Sequence, residues 1–155
     1  MSYRITGLDP TQFSPLFGLP DAALAARGAK RYIVHAKPGF PDRVELRDLE
    51  IGERALLLNY THQPADTPYR ASHAIFVREG ASAAADIVGE VPEVMRARPI
   101  SIRAFSAVGE MVDADLAANG EIEPLILRLL AKPEVAYLQA HYAKRGCYAA
   151  RIEPA

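Results

Sequence analysis

The chain has no tryptophan, and Cys147 is the only cysteine among its 155 residues. One thiol cannot close an intramolecular disulfide, so packing alone must hold the fold, and a reducing compartment suits it. The opening stretch MSYRITGLDP lacks the apolar core of a secretory leader. No apolar run approaches the ~20 residues that span a bilayer. These absences predict a cytoplasmic protein with no membrane partner. Charge of one sign is also missing: 18 Lys and Arg stand against 19 Asp and Glu, a net charge of −1. That predicts no broad basic field for nucleic acid. No glycine-rich phosphate loop is present, and nothing predicts a cofactor. The four histidines, His35, His62, His73 and His141, show no i, i+2 or i, i+4 pair, so no metal site is predicted. Asp113-x-Asp115 puts two carboxylates on one strand face, a pattern too common to mark a metal.

What is present is globular. Half the residues are hydrophobic and 24% are charged. A chain of this length suits one domain, residues 1–155, burying ~70% of its extended surface. Tyr3 to Ile5 reads as a strand. Asp9 and Pro10 read as the start of a helix carrying Phe13, Leu16 and Phe17, and a second short helix runs from Asp21 to Arg27, stopped by Gly28. Strands are expected at Arg31–His35, around Val44 and Leu46 with one wet face, at Ala55–Tyr60 inside a sheet, at His73–Glu79 and at Ile100–Val108. Residues 80–97 read equally as helix or loop. Gly109-Glu110 suits a type II′ turn returning to MVDAD. Ile122, Leu125, Ile126, Leu129 and Leu130 form a helical apolar stripe. Strand–turn–strand pairs dominate, which predicts an α+β domain: a mainly antiparallel sheet with a few helices packed on one side.

The closing stretch HYAKRGCYAAR reads as a hairpin. A three-residue loop Lys144-Arg145-Gly146 would let Gly146 take a left-handed position and pair Ala143 with Cys147. Ala136, Leu138, Ala140, Tyr142, Tyr148, Ala150 and Ile152 would then face the core. Tyr137, Gln139, His141, Cys147 and Arg151 would share a polar face. His141 and Cys147 become diagonal neighbours, a candidate base and thiol nucleophile. The stretch from His62 to Ser72 reads as a long loop between rigid strands, where binding groups concentrate. It carries His62, Asp66, Tyr69 and Arg70. Arg70 suits bidentate capture of a carboxylate or phosphate, and Asn59 needs a partner if buried.

The run GERALLLNYTHQPADTPYRASHAIFVREG, with KPGFPDRVEL before it and RGCYAARIEPA at the end, resembles a bacterial family known as domain of unknown function number twelve hundred and three. The likeness covers nearly the whole chain from FGLPDAALAARGA onward. The family's L-L-N-Y-x-H and P-Y-R pieces match Leu57, Leu58, Asn59, Tyr60, His62, Pro68, Tyr69 and Arg70. A histidine before a closing G-C matches His141, Gly146 and Cys147. The chain departs from some members at Asp42 and His73. The resemblance implies a bacterial cytosolic protein and no particular activity.

Three readings follow. The first is a binding domain for a small anionic metabolite, lined by Asn59, His62, Tyr69, Arg70 and Arg151. The second is an enzyme using Cys147 with His141. The third is a structural or partner-binding protein without a small-molecule site. They part on whether the His62–Ser72 stretch meets the Tyr137/His141/Arg151 face.

Overall fold

In the computed structural model, which describes residues 1–118 and 120–155, apolar alternation builds most strands where the sequence places them. In chain order the elements are β1 (Tyr3–Thr6), α1 (Asp21–Ala26), β2 (Lys30–Ile33), β3 (Arg54–Gln63), β4 (Ala71–Arg78), β5 (Asp86–Val88), α2 (Glu93–Arg96), β6 (Ile100–Phe105), β7 (Met111–Ala117), α3 (Ile122–Leu130), β8 (Tyr137–Tyr142) and β9 (Tyr148–Pro154). Asp9 does cap a turn, accepting from Thr11 N, but two 3-10 turns follow (Pro10–Gln12, Ser14–Leu16) instead of an α-helix. Pro15 lacks the amide that an α-helix begun at Pro10 would need there.

The strands form two sheets rather than one. A six-stranded sheet has the order β5-β1-β9-β8-β6-β7, and a three-stranded sheet has the order β2-β3-β4. Every pair of named strands is antiparallel. The α+β expectation holds. The helices α2 and α3 cover one face of the large sheet, with Met95, Ile126 and Leu129 fully buried against Ile102, Leu138 and Ile152. The small sheet covers part of the other face. That is why β3 is apolar on both sides. Leu56 and Leu58 pack toward Tyr148 of the large sheet, while Ala55 packs outward beneath Val34, Phe40 and Leu49.

Val44 and Leu46 do not form a strand with a wet face. Both are buried, and Leu46 takes a positive φ of 53°. Residues 40–49 form an irregular bridge between the two sheets. Arg43 N donates to Phe76 O of β4, while Leu8 N donates to Arg43 O beyond β1. Asp42 holds the bridge by accepting from Arg78 N (2.7 Å) and Glu45 N (2.6 Å), and its burial raises its carboxyl pKa. Gly7 is required beside it. A β-carbon there would lie 1.9 Å from Val44 O.

The turn before β7 also differs from expectation. Gly109 N donates to Ser106 O and Ser106 N to Glu110 O. Ala107 and Val108 are therefore the central residues, and Gly109 (φ +85°) closes a three-residue loop. Residues 80–97 contain both β5 and α2.

Candidate functional site

The β8–β9 hairpin decides which side chains can meet. Far from the turn the expected pairs form: Leu138 with Ile152, Gln139 with Arg151, Ala140 with Ala150. Next to the turn they do not. Tyr142 N donates to Cys147 O (2.9 Å), Gly146 N donates to Tyr142 O (2.7 Å), and His141 pairs with Tyr148. The loop therefore spans four residues, Ala143 to Gly146, and Ala149 becomes an extra residue in the ladder. Gly146 has its left-handed φ of +77°, but the bulge at Ala149 shifts the turn end by one residue. A one-residue shift exchanges faces. Tyr148 thus joins His141, and Cys147 moves to the α3 side of the sheet, partly buried against that core.

His141 and Cys147 therefore lie on opposite faces, which corrects the diagonal pairing. His141 is fully buried, with Nδ1 2.9 Å from Gly146 O and Nε2 3.3 Å from Gln139 Oε1. Neither nitrogen is turned to the thiol. Burial, reinforced by the charge of Arg103, pushes the imidazole down to about 3, so it is neutral at physiological pH. The neighbour of Cys147 is a different residue, Arg43, whose Nη2 lies 3.2 Å from Sγ. Arg43 is buried, donates to Tyr148 O (2.8 Å) and Pro41 O, and sits over the Tyr142 ring at 4.9 Å. It forms no ion pair among the described residues.

His62 does not belong to a loop. Strand β3 continues through it to Gln63, with a register break between Thr61 and Gln63. That bulge drives both His62 and Gln63 inward. Gln63 Nε2 donates to Tyr137 OH (2.8 Å). Gln139 Nε2 donates to His62 O (2.9 Å), so its Oε1 must accept from His62 Nδ1 (2.7 Å). His62 then carries its proton on Nδ1, and Nε2 presents a bare lone pair. That Nε2 is buried and has no partner among the described residues. Burial lowers the His62 pKa, so the neutral form is favoured. The ring stacks on Tyr148 (5.5 Å, 11°) and meets His141 edge-on at 4.9 Å.

A cleft of about 280 Å³ opens beside this network. Thr6, Arg151 and Gln139 lie in one cross-strand row. Tyr60, His62 and Pro64 of the small sheet and its following loop line it, as do Leu8, Asp9 and Tyr148. Arg151 is half-buried, paired with Glu153 (2.8 Å) and stacked 3.8 Å over Tyr137.

Of the sequence candidates, His62 and Arg151 meet at this cleft. His141 stands behind His62. Asn59 does not join them; it is exposed on the opposite face of β3, paired with Ala74. Tyr69 and Arg70 stay exposed on the 64–70 loop, where Arg70 donates to Pro64 O. Sequence reasoning passed over Gln139, Gln63, Arg103 and Arg43 as site residues, and set His73 aside. The polar alternation of β8 pointed at Gln139. For Arg43 no local signal existed, because Tyr148 and Cys147, which tie it to the site, are more than a hundred residues away.

A family model described as "Protein of unknown function (DUF1203)" matches residues 39–154. The chain belongs to the DUF1203 family. The DUF1203 match starts just before the 40–49 bridge and ends in β9, so it contains Arg43, His62, Gln139, Cys147 and Arg151. Residues before 39, including the Thr6–Asp9 wall of the cleft, lie outside it. No curated protein and no solved structure shows a significant match to this DUF1203 chain.

Proposed function

We propose that this protein binds a small organic acid in the cleft between β1, β3 and β9. The observation that carries the reading is the buried Nε2 of His62, a residue that lines the cleft, which has no partner among the described residues. A buried acceptor left without a donor costs ~1–3 kcal/mol. A ligand hydroxyl or amine reaching it would recover that cost. Arg151, the one cation lining the cleft, would exchange its Glu153 partner for a carboxylate at the other end of the ligand. The carboxylate there, Asp9, is engaged with Thr11 N (2.9 Å). Tyr60 and Tyr148 supply flat walls on which an apolar body can lie.

The test is a thermal-shift screen of small hydroxy- and amino-carboxylic acids. A ligand at a hundred times its Kd stabilises by about 2.7 kcal/mol, several degrees in Tm for a chain of this size. The shift is expected in the wild type and in Arg70→Ala, and is lost in Arg151→Leu. Equal shifts in wild type and Arg151→Leu would defeat the proposal.

A further inference from the structure

The side chains of four arginines make no hydrogen bond or ion pair among the described residues: Arg27, Arg54, Arg103 and Arg145. The first, second and fourth are exposed, where water solvates them. Arg103 alone is partly buried, and burial disfavours its charge with nothing opposing. Its place explains why. β6 pairs with β8 so that Arg103 lies opposite Gln139 and Ser101 opposite His141. Opposed residues share a face. The row therefore reads Arg151, Gln139, Arg103, with one guanidinium on each side of the glutamine that holds His62.

The surroundings of Arg103 are rich in imidazole. His62 and His141 both feel its charge. His73 of β4 stacks 5.6 Å from His62 and stands 6.3 Å from His141. From β8 the facing groups are Gln139 and His141, from β3 His62 and Gln63, and from β4 His73. From β7 they are Ala114, paired with Arg103, and Leu116, paired with Ser101. The acids of β7, Asp113 and Asp115, pair with Ala104 and Ile102 on the other face and bind Lys132 and Arg128. The small sheet does not cover this end of β6, so Leu116 is 69% exposed.

We propose that Arg103, with His62 beside it and His73 stacked on His62, forms a binding site for an oxyanion, a carboxylate or phosphate group, on the opposite side of His62 from the Arg151 cleft. The charge balance asks for it. A half-buried guanidinium beside the neutral imidazoles of His62 and His141 has lost water without gaining an anion among the described residues. An oxyanion would take two of its donors in a bidentate fork and a further N–H from the His73 ring. It would also offset the field that disfavours protonated His62, so binding draws a proton onto the cluster and tightens as pH falls. The inference does not depend on the cleft.

Sulfate is the probe, because its charge does not change between pH 6 and 8. Histidine ring resonances of the full chain are followed by NMR as sulfate is added, with chloride at equal ionic strength as control. Expected is a saturable shift of the His62, His73 and His141 rings at pH 6, weaker affinity at pH 8, retention in Arg151→Leu, and loss in Arg103→Gln. Arg103→Gln removes an unpaired charge and so should fold; Arg103→Lys, which keeps the charge but not the fork, should bind more weakly than wild type. Shifts that do not saturate, that chloride reproduces, or that persist unchanged in Arg103→Gln would overturn the site.

Discussion

Replacing His141 with glutamine should flatten the acid limb of the stability curve. The free imidazole titrates near 6.5, whereas burial holds His141 at about 3 in the folded chain. Between those values the unfolded chain binds one more proton at this residue than the folded chain does. Its contribution is therefore complete above pH ~6.5 and is lost progressively as pH falls toward 3, at about 1.4 kcal/mol per pH unit. At pH 5 the loss amounts to about 2 kcal/mol. Glutamine can still donate toward Gly146 O, the acceptor 2.9 Å from Nδ1. His62, also lowered by burial, contributes in the same direction but is common to both proteins. The measurement is urea unfolding by circular dichroism at several pH values from 7.5 to 5.0. Whatever offset the substitution introduces at pH 7.5, the gap between wild type and variant should shift by about 2 kcal/mol in favour of the variant by pH 5. Parallel limbs would refute the reasoning, because they would mean that folding does not exclude a proton from His141.

Three further outcomes follow from packing. Gly7→Ala forces a β-carbon against Val44 O and should cost about 2–3 kcal/mol in urea unfolding, severing β1 from the 40–49 bridge. Arg43→Ala should cost about 3 kcal/mol, because it opens a cavity and orphans Tyr148 O. Arg43→Met should recover part of that loss by filling the same space. Asn59→Ala, on the exposed face of β3, should change stability by less than about 0.5 kcal/mol and leave ligand shifts intact in the thermal screen.

The mixture of success and failure along β8 and β9 shows where sequence logic ends. Gly146 was readable as the left-handed residue of the turn, and the pairs from Ala140 outward followed from alternation. The bulge at Ala149 was not readable. Nothing local prefers an extra residue there. Its value appears only when Tyr148 is needed on the face where His62 of the other sheet stacks on it. His62 itself sat in a stretch of proline and polar residues that reads as a loop, yet pairing with Ala71 and its neighbours extends the strand to Gln63.

By itself the sequence determined the α+β class, the α3 stripe and most strand positions, since each depends on contacts that recur every two or four residues. It also determined that polar residues alternate along β8. Only the tertiary structure decided what those residues do. It laid a second sheet across part of that face, so Gln139 and His62 became a buried hydrogen-bonded pair, with His141 packed behind it, instead of a wet surface. It also separated His141 from Cys147, gave the thiol Arg43 as neighbour, and left the Arg103 side chain without a hydrogen-bonding partner among the described residues. Those outcomes depend on residues distant in the chain, whose approach is set by packing between sheets rather than by any local pattern.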